Sequence, residues 1–495
     1  MRIFITGATG FVGRALTLRL LGGGHELSAW VRAEDRARNL LGSDVRLVAA
    51  SGGTQALSGE MARADAVVNL AGEPILGGRW TARRKEALSK SRIELTTAIV
   101  DAIAQSQKRP TVLISASAVG YYGDRGEELL DERSAPGDDF LARLCREWEE
   151  AALRAEQAGL RVFIPRLGIV LGLDGGALAQ MLPPFQFGAG GPIASGRQWM
   201  GWIHLFDLVE IIATALEDER YRGIAIAAAP APVTNRDFAY TLGRVLHRPS
   251  LVPVPALALR AIFGDGASVL TAGQRVIPPR LSEWGFRWRF DKVEAALRHI
   301  LAEDDPQIDS LGADSPRPEN PHGSKYLDNR RPTYLLRHSM RVNASAAEVF
   351  SFFSRPQNLG VMTPADMRFQ ITGAMPAEMS RGTQIAYKLR VGPLPLRWRT
   401  MIEAWEPPRL FADYQEQGPY RCWWHEHRFE PDGVLTLMDD RVYFAPPFGF
   451  VGCAASHFFV KPALRRIFRF RAQAMELRFR GIKSADESAA PTSQT

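Results

Sequence analysis

Three glycines near the start of the chain, Gly7, Gly10 and Gly13, stand at the spacing G-x-x-G-x-x-G. An apolar stretch at residues 2–6 precedes them, and an apolar stripe at Val12, Leu16 and Leu20 follows. The first reads as a short buried strand and the second as a helix, so the glycines fall on a strand-to-helix turn. Such a turn presents main-chain amides and the positive end of a helix dipole, which suits a diphosphate. Gly7 permits the tight turn, Gly10 lets the backbone approach a ligand, and Gly13 lets helix and strand pack closely. Thr9, Phe11 and Val12 complete the lip of the turn and are read with the glycines as ligand contacts.

A second chemical group follows one strand later. Residues 26–31 read as a strand, and its tip carries Arg32, with Arg36 and Arg38 close by. A carboxylate there would accept from a ribose 2′-hydroxyl, whereas a guanidinium suits a 2′-phosphate. The expected cofactor is therefore NADP(H) rather than NAD(H).

These groups need a scaffold, and the chain supplies one. Strand patterns at 45–49, 66–70, 111–117 and 161–165 alternate with helical stretches that include 81–103 and 140–158. That alternation implies an α/β fold, a doubly wound parallel sheet with helices on both faces. Ligands in such sheets bind beyond the carboxyl ends of the strands. The residues there are Asn69, Leu70, Ala71, Gly72 and Glu73, then Ser115, Ser117, Tyr121 and Tyr122, then Arg166.

Composition bounds the rest. The chain has 495 residues, which implies two to four domains, and its 46% hydrophobic and 23% charged content fits a globular protein in water. No leader-like segment precedes the first strand, and no apolar run reaches the roughly 18 residues of a membrane span. Cys145, Cys422 and Cys453 are scattered and odd in number, which points to a reducing cytoplasm. The net charge of +7 comes with no nucleic-acid recognition motif, so no nucleic-acid partner is expected.

The motifs resemble the extended short-chain dehydrogenase/reductase superfamily. More narrowly, Asn69-Leu-Ala-Gly-Glu-Pro-Ile75, Ser117-Ala-Val-Gly-Tyr-Tyr-Gly123, Ser195-Gly-Arg-Gln198 and Trp202-Ile-His204 resemble its epimerase-like family of unassigned substrate, over about residues 1–300. The resemblance implies a Rossmann domain over 1–301, with a small C-terminal lobe from about 248. It also implies a Ser, Tyr and Lys for moving a proton at a substrate oxygen. Ser117 fits the Ser, with Ser115 as runner-up. The Tyr-x-x-x-Lys pair would fall on Phe140 and Leu144, neither of which ionises, so that pair is absent. Tyr121 and Tyr122 are then the candidate proton donors, beside Ser117. Arg166 is expected at the nicotinamide side. Glu73, Arg197, Gln198 and Trp202 are expected to meet a small-molecule substrate. His204 reads as structural, and Asp207 after it as a helix N-cap. Two readings follow: an oxidoreductase or epimerase acting on a small alcohol or carbonyl compound, or a non-catalytic NADP(H)-binding sensor.

Residues 302–333 are rich in proline and polar residues and read as a linker. From 334 the pattern changes to strand, capped helix, several strands and a long helix at about 461–480. A helix-grip α+β domain is expected over 334–482, then a disordered tail at 483–495. Ser345 and Glu348 form a capping box. Arg337-His338, Trp405-Glu-Pro-Pro408 and Trp424-His-Glu-His-Arg-Phe429 resemble the polyketide-cyclase/START-like (Bet v 1-like) superfamily, which implies a cavity for an apolar ligand. Trp423, His425, His427 and Phe429 share one strand face. His-x-His can ligate a metal, but two ligands do not make a site and no third is apparent, so no metal is expected. The last helix is read as a core helix with a solvated basic face.

Overall fold

The computed structural model describes residues 1–302, 306–312, 315, 318, 323–328, 330–373, 376, 378–447, 452 and 456–479. It divides into two compact units, Met1–Glu34 with Asp44–Glu303, and Asp35–Ser43 with Asp304–Thr495. The tail expected from 483 onward lies outside the described residues. No described helix is long and apolar enough to cross a membrane.

In the first unit β1 (Arg2–Thr6) turns through the glycines into α1 (Phe11–Gly22). Then come β2 (Glu26–Val31), β3 (Val45–Ala49), β4 (Ala66–Asn69), α2 (Ala82–Gln105), β5 (Val112–Ser115) and β6 (Ser117–Ala118). The helix α3 (Phe140–Leu153), β7 (Arg161–Leu167), α4 (Leu205–Glu217) and β8 (Gly223–Ala227) complete the frame. The sheet runs β8-β7-β5-β4-β1-β2-β3, with β6 paired to β7, and every pairing is parallel. Its strands are buried on both faces, as in Val67, Val68, Leu113 and Ile114, because Ile99 and Ile103 of α2 and Ala152 of α3 close one apolar layer. Strand order reverses between β1 and β4, and a crevice opens at such a reversal, beyond the strand ends. The fifth strand is shorter than its apolar run. It breaks at Ala116, whose amide donates to the Asn69 carbonyl (3.0 Å).

The second unit is an eight-stranded sheet with only antiparallel pairings. Its strands are β9 (Gln307–Ser310), β10 (Tyr334–Val342), β11 (Gln370–Ile371), β12 (Gln384–Val391), β13 (Leu394–Glu406), β14 (Leu410–Gln417), β15 (Cys422–Asp432) and β16 (Leu435–Ala445). Both bonds of the Ser345–Glu348 capping box are present and start α5 (Ala346–Phe353). The closing helix α6 (Lys461–Arg478) sets Leu464 and Phe468 against Trp398, Trp423, Leu336 and Phe444. The linker reading of 302–333 is corrected here. β9 pairs with β10, and Tyr326 is buried beside Tyr414, its hydroxyl accepting from the Trp423 amide (3.0 Å). Prolines and charges around these short stretches hide their pairing in the sequence.

Candidate functional site

The glycine turn is built by close approach of main chains. Gly7 has φ +74°, and a Cβ there would stand 2.6 Å from the Leu70 carbonyl carbon, 2.7 Å from its oxygen and 2.8 Å from the Ala71 nitrogen. Thus the turn after β1 is pressed against the backbone after β4, at the reversal of the sheet. A Cβ at Gly13 would lie 2.2 Å from the Gly7 oxygen. Gly10 is exposed and caps α1 with no side-chain hydrogen bond, its own amide donating to the Gly7 carbonyl (2.9 Å). The first amides of α1 therefore face outward without a capping side chain. Thr9, Phe11 and Val12 are half-buried around it. The Phe11 ring is a packing element, since Cβ atoms on Gly172 and Gly175 would come within 2.7 and 2.6 Å of it.

The side chains of Asn69 and Ser115 do not face the crevice as expected of ligand contacts. Asn69 accepts from the Thr6 hydroxyl (2.6 Å) and donates to Thr96 Oγ1 (2.8 Å) and Ser115 Oγ (3.2 Å), all buried. They tie β1, β4, β5 and α2 together, while Leu70 and Ala71 are half-buried and Gly72 is exposed. Arg32 stands exposed at the tip of β2, with Nη1 3.2 Å from Glu73 Oε1. Glu73 also lies 3.5 Å from Arg84 Nη1.

Beside these, a buried network joins Ser117, Tyr122, Glu149 and Arg166. Ser117 Oγ donates to Glu149 Oε1 (2.6 Å). Arg166 grips both oxygens of Glu149 (2.8 Å each) and donates from Nη1 to the Tyr122 hydroxyl (2.9 Å). Its guanidinium also lies 3.4 Å from the centre of the Tyr121 ring. Burial lowers the pKa of Arg166, but Glu149 and Tyr122 outweigh it and hold the guanidinium charged. Burial pushes the Tyr122 hydroxyl well up, against the pull of Arg166, so it stays protonated. Tyr121 is half-buried, and no described residue hydrogen-bonds its hydroxyl. Glu149 was not legible as a site residue, although a signal existed: a carboxylate standing in the apolar stripe Cys145, Trp148, Ala152. Phe140 and Leu144 pack into an apolar cluster with Trp80 and Leu88.

The expected substrate residues divide. Trp202 is fully buried with its indole donating to the Ala231 carbonyl (2.9 Å), which corrects its reading as a substrate contact. The Gln198 amide is taken by the carbonyls of Ile193 (3.1 Å) and Leu270 (3.0 Å), so it braces the loop instead. Arg197 is exposed. His204 itself caps α4, Nδ1 accepting from the Phe206 amide (3.0 Å), and its Nε2 lies 3.1 Å from His299 Nδ1. Asp207, expected as that cap, instead accepts from the amides of Arg289 (2.8 Å) and Phe290 (3.1 Å).

In the second unit a cavity of about 180 Å³ lies between sheet and α6. Phe353, Tyr387, Trp398, Trp423 and Phe468 line it, with Asp413, His425, His427 and Arg471 among them. Two expectations change. A third side chain able to ligate does stand beside the histidines, because β14 sets Asp413 opposite His425. The basic face of α6 is not wholly solvated, because Arg471 turns inward and pairs with buried Asp440 (3.1 Å). Burial, with His427 adding to it, pulls His425 down to about 4, and burial pushes Asp413 up to about 6.

Comparison with known proteins bears on the first unit. Residues 3–227 match the model of the NAD dependent epimerase/dehydratase family, and 254–300 match a domain of unknown function, DUF1731. The chloroplastic Epimerase family protein SDR39U1 homolog of Arabidopsis thaliana is 44% identical over 307 residues, covering 61% of this chain and 87% of its own. Epimerase family protein SDR39U1 of Homo sapiens is 38% identical over 306 residues, 61% of this chain and all of its own. A crystal structure of the human epimerase family protein SDR39U1 (isoform 2) with NADPH superposes with a TM-score of 0.55 at 36% identity, again over 61% of this chain and the whole of that one. With such identity over nearly the full length of these relatives, the chain belongs to the epimerase family typified by SDR39U1, within the NAD dependent epimerase/dehydratases.

Proposed function

We propose that the first unit binds NADP(H) in the crevice between the ends of β1 and β4 and transfers hydride to or from a small alcohol or carbonyl carbon, as an oxidoreductase or an epimerase. The observation that carries this reading is the glycine cradle: amides at the start of α1 without a cap, packed where no Cβ fits, one strand away from exposed Arg32. The family membership and the NADPH of the human relative support it. Gly7, Thr9, Gly10, Val12 and Gly13 would hold the diphosphate, with the main chain of Leu70, Ala71 and Gly72 opposite. Arg32 would leave Glu73 for the 2′-phosphate.

The cofactor supplies the hydride chemistry; the chain must move a proton at the substrate oxygen. Of the candidates, Tyr121 suits that role best, since no described residue hydrogen-bonds its hydroxyl while those of Ser117 and Tyr122 are bound inside the network. Ser117, Tyr122 and Arg166 are then positioning residues behind Tyr121. Arg197 and Glu73 remain proposed substrate contacts. The second unit is proposed to be a helix-grip, START-like module whose cavity takes an apolar small molecule, and free buried Cys145 and Cys422 suit a cytoplasmic setting.

The second reading is a binding protein that senses NADP(H) without turnover. Phe140 and Leu144, packed where an acid/base pair would stand, favour it. Calorimetry and turnover separate the readings. Arg32→Asp should weaken NADPH about tenfold or more, the worth of a charge-assisted pair, and leave NADH nearly unchanged. Equal loss for both would overturn the 2′-phosphate role. NADPH oxidation across a panel of carbonyl compounds that vanishes in Tyr121→Phe supports the enzyme. Tight binding with no turnover on any compound supports the sensor.

A further inference from the structure

Two neighbouring strands of the second unit bring three metal-ligating side chains together. Asp413 lies on β14, and His425 and His427 lie two apart on β15, so they share a face. All three are more than nine-tenths buried and line the cavity. Asp413 Oδ2 stands 3.8 Å from His425 Nδ1 and 3.9 Å from His427 Nε2. These gaps are too long for hydrogen bonds. They are slightly wider than the edges of a site with metal–ligand bonds of about 2.0–2.2 Å, so small ring rotations would complete one.

The far side of each ring is organised too. His427 Nδ1 lies 2.6 Å and His425 Nε2 3.4 Å from a single oxygen, Asp440 Oδ1. The other Asp440 oxygen takes Arg471 at 3.1 Å. A carboxylate behind a histidine fixes the tautomer and turns the opposite nitrogen toward a metal. Aromatic neighbours hold the rings in place: His427 stacks on Phe411 at 4.2 Å, and His425 meets the Phe468 ring at 5.7 Å.

We propose that Asp413, His425 and His427 bind one divalent transition-metal ion of the zinc class in the wall of this cavity, with Asp440 and Arg471 as its outer support. Two imidazoles and one carboxylate suit zinc, cobalt, nickel or ferrous iron better than calcium or magnesium, which prefer oxygen. Three protein ligands leave the remaining coordination open to a donor atom of whatever enters the cavity. This site stands apart from the dinucleotide reading and survives its failure.

The test uses the full chain, stripped with a chelator and titrated with Co²⁺. A visible d–d band saturating at one equivalent, displaced by Zn²⁺, is the expected result. His427→Gln should abolish the band, and near-isosteric Asp413→Asn should weaken binding tenfold or more. Asp440→Asn should cost about 10–100-fold through the outer support. Zn²⁺ should raise the melting temperature of the parent chain more than that of Asp413→Asn at the same concentration. A folded parent chain with no saturable band, or unchanged affinity in Asp413→Asn, overturns the site. Circular dichroism of the metal-free variants checks that each is folded, and Asp413→Asn keeps the test decisive if His427→Gln is not.

Discussion

Each unit buries a carboxylate among nitrogen-bearing side chains, and the two do so with opposite results. Around Glu149 every bond closes: both oxygens are gripped by Arg166, and Ser117 adds a third donor. Around Asp413 no such closure is found among the described residues, where the nearest imidazole nitrogens stop at 3.8 and 3.9 Å. Residue types alone would rank both clusters as catalytic. Saturation separates them: a buried charge with all its partners inside the protein is a girder, and one that faces its neighbours across a gap has room for a visitor.

The sharpest way to break this contrast is Glu149→Gln. It strands the buried Arg166 charge, and urea denaturation should report a loss of about 3–5 kcal/mol. A loss under roughly 1 kcal/mol would mean that the network is no girder. The histidines extend the comparison. His204 is closed in, and burial first, then His299 and Arg289, hold it well below its ordinary value. The unfolded chain gains that proton below about pH 6.5 and the folded chain does not, so stability is lost as pH falls, by roughly 1.4 kcal/mol per pH unit. Asp207 works the other way, since burial raises it to about 6 and the folded chain protonates first as pH falls toward that value. The difference between parent and His204→Asn isolates the histidine, and that variant should flatten the slope between pH 6.5 and 5.5. The smallest effect has the opposite sign. Asp413→Asn in the metal-free chain removes a carboxylate whose side chain gains no hydrogen bond from the described residues. It should leave stability unchanged or raise it by up to about 1 kcal/mol. If it destabilised as much as Glu149→Gln, the two clusters would be of one kind.

Much of the frame was readable because its causes are local. The glycine spacing follows from contacts within one strand-turn-helix unit, and the Ser345–Glu348 box from a single helical turn. Many of the longer strands announce themselves by apolar runs and turn residues, so β1, β2 and β3 begin and end where the pattern says. Readings failed where a partner comes from far along the chain. Tyr326 is placed by Trp423 and Tyr414, nearly a hundred residues on, and nothing near it signals burial. Trp202 is expected from the sequence to meet a substrate, yet its indole is buried and donates to the Ala231 carbonyl.

By itself the sequence determined a parallel nucleotide-type sheet joined to a second, mainly antiparallel unit, along with the turn and the arginine that suit a phosphorylated dinucleotide. Periodicity, glycine conformation and capping act over a few residues, and those are written in the order of the chain. Tertiary structure decided which polar groups are consumed and which are left facing space. Glu149 meets Ser117 and Arg166 only when β6, β7 and α3 assemble, and Asp413 meets the two histidines only through the register of β14 on β15. A hydrogen bond or a coordination shell depends on ångström distances between strands, and these exist only once the sheet has formed.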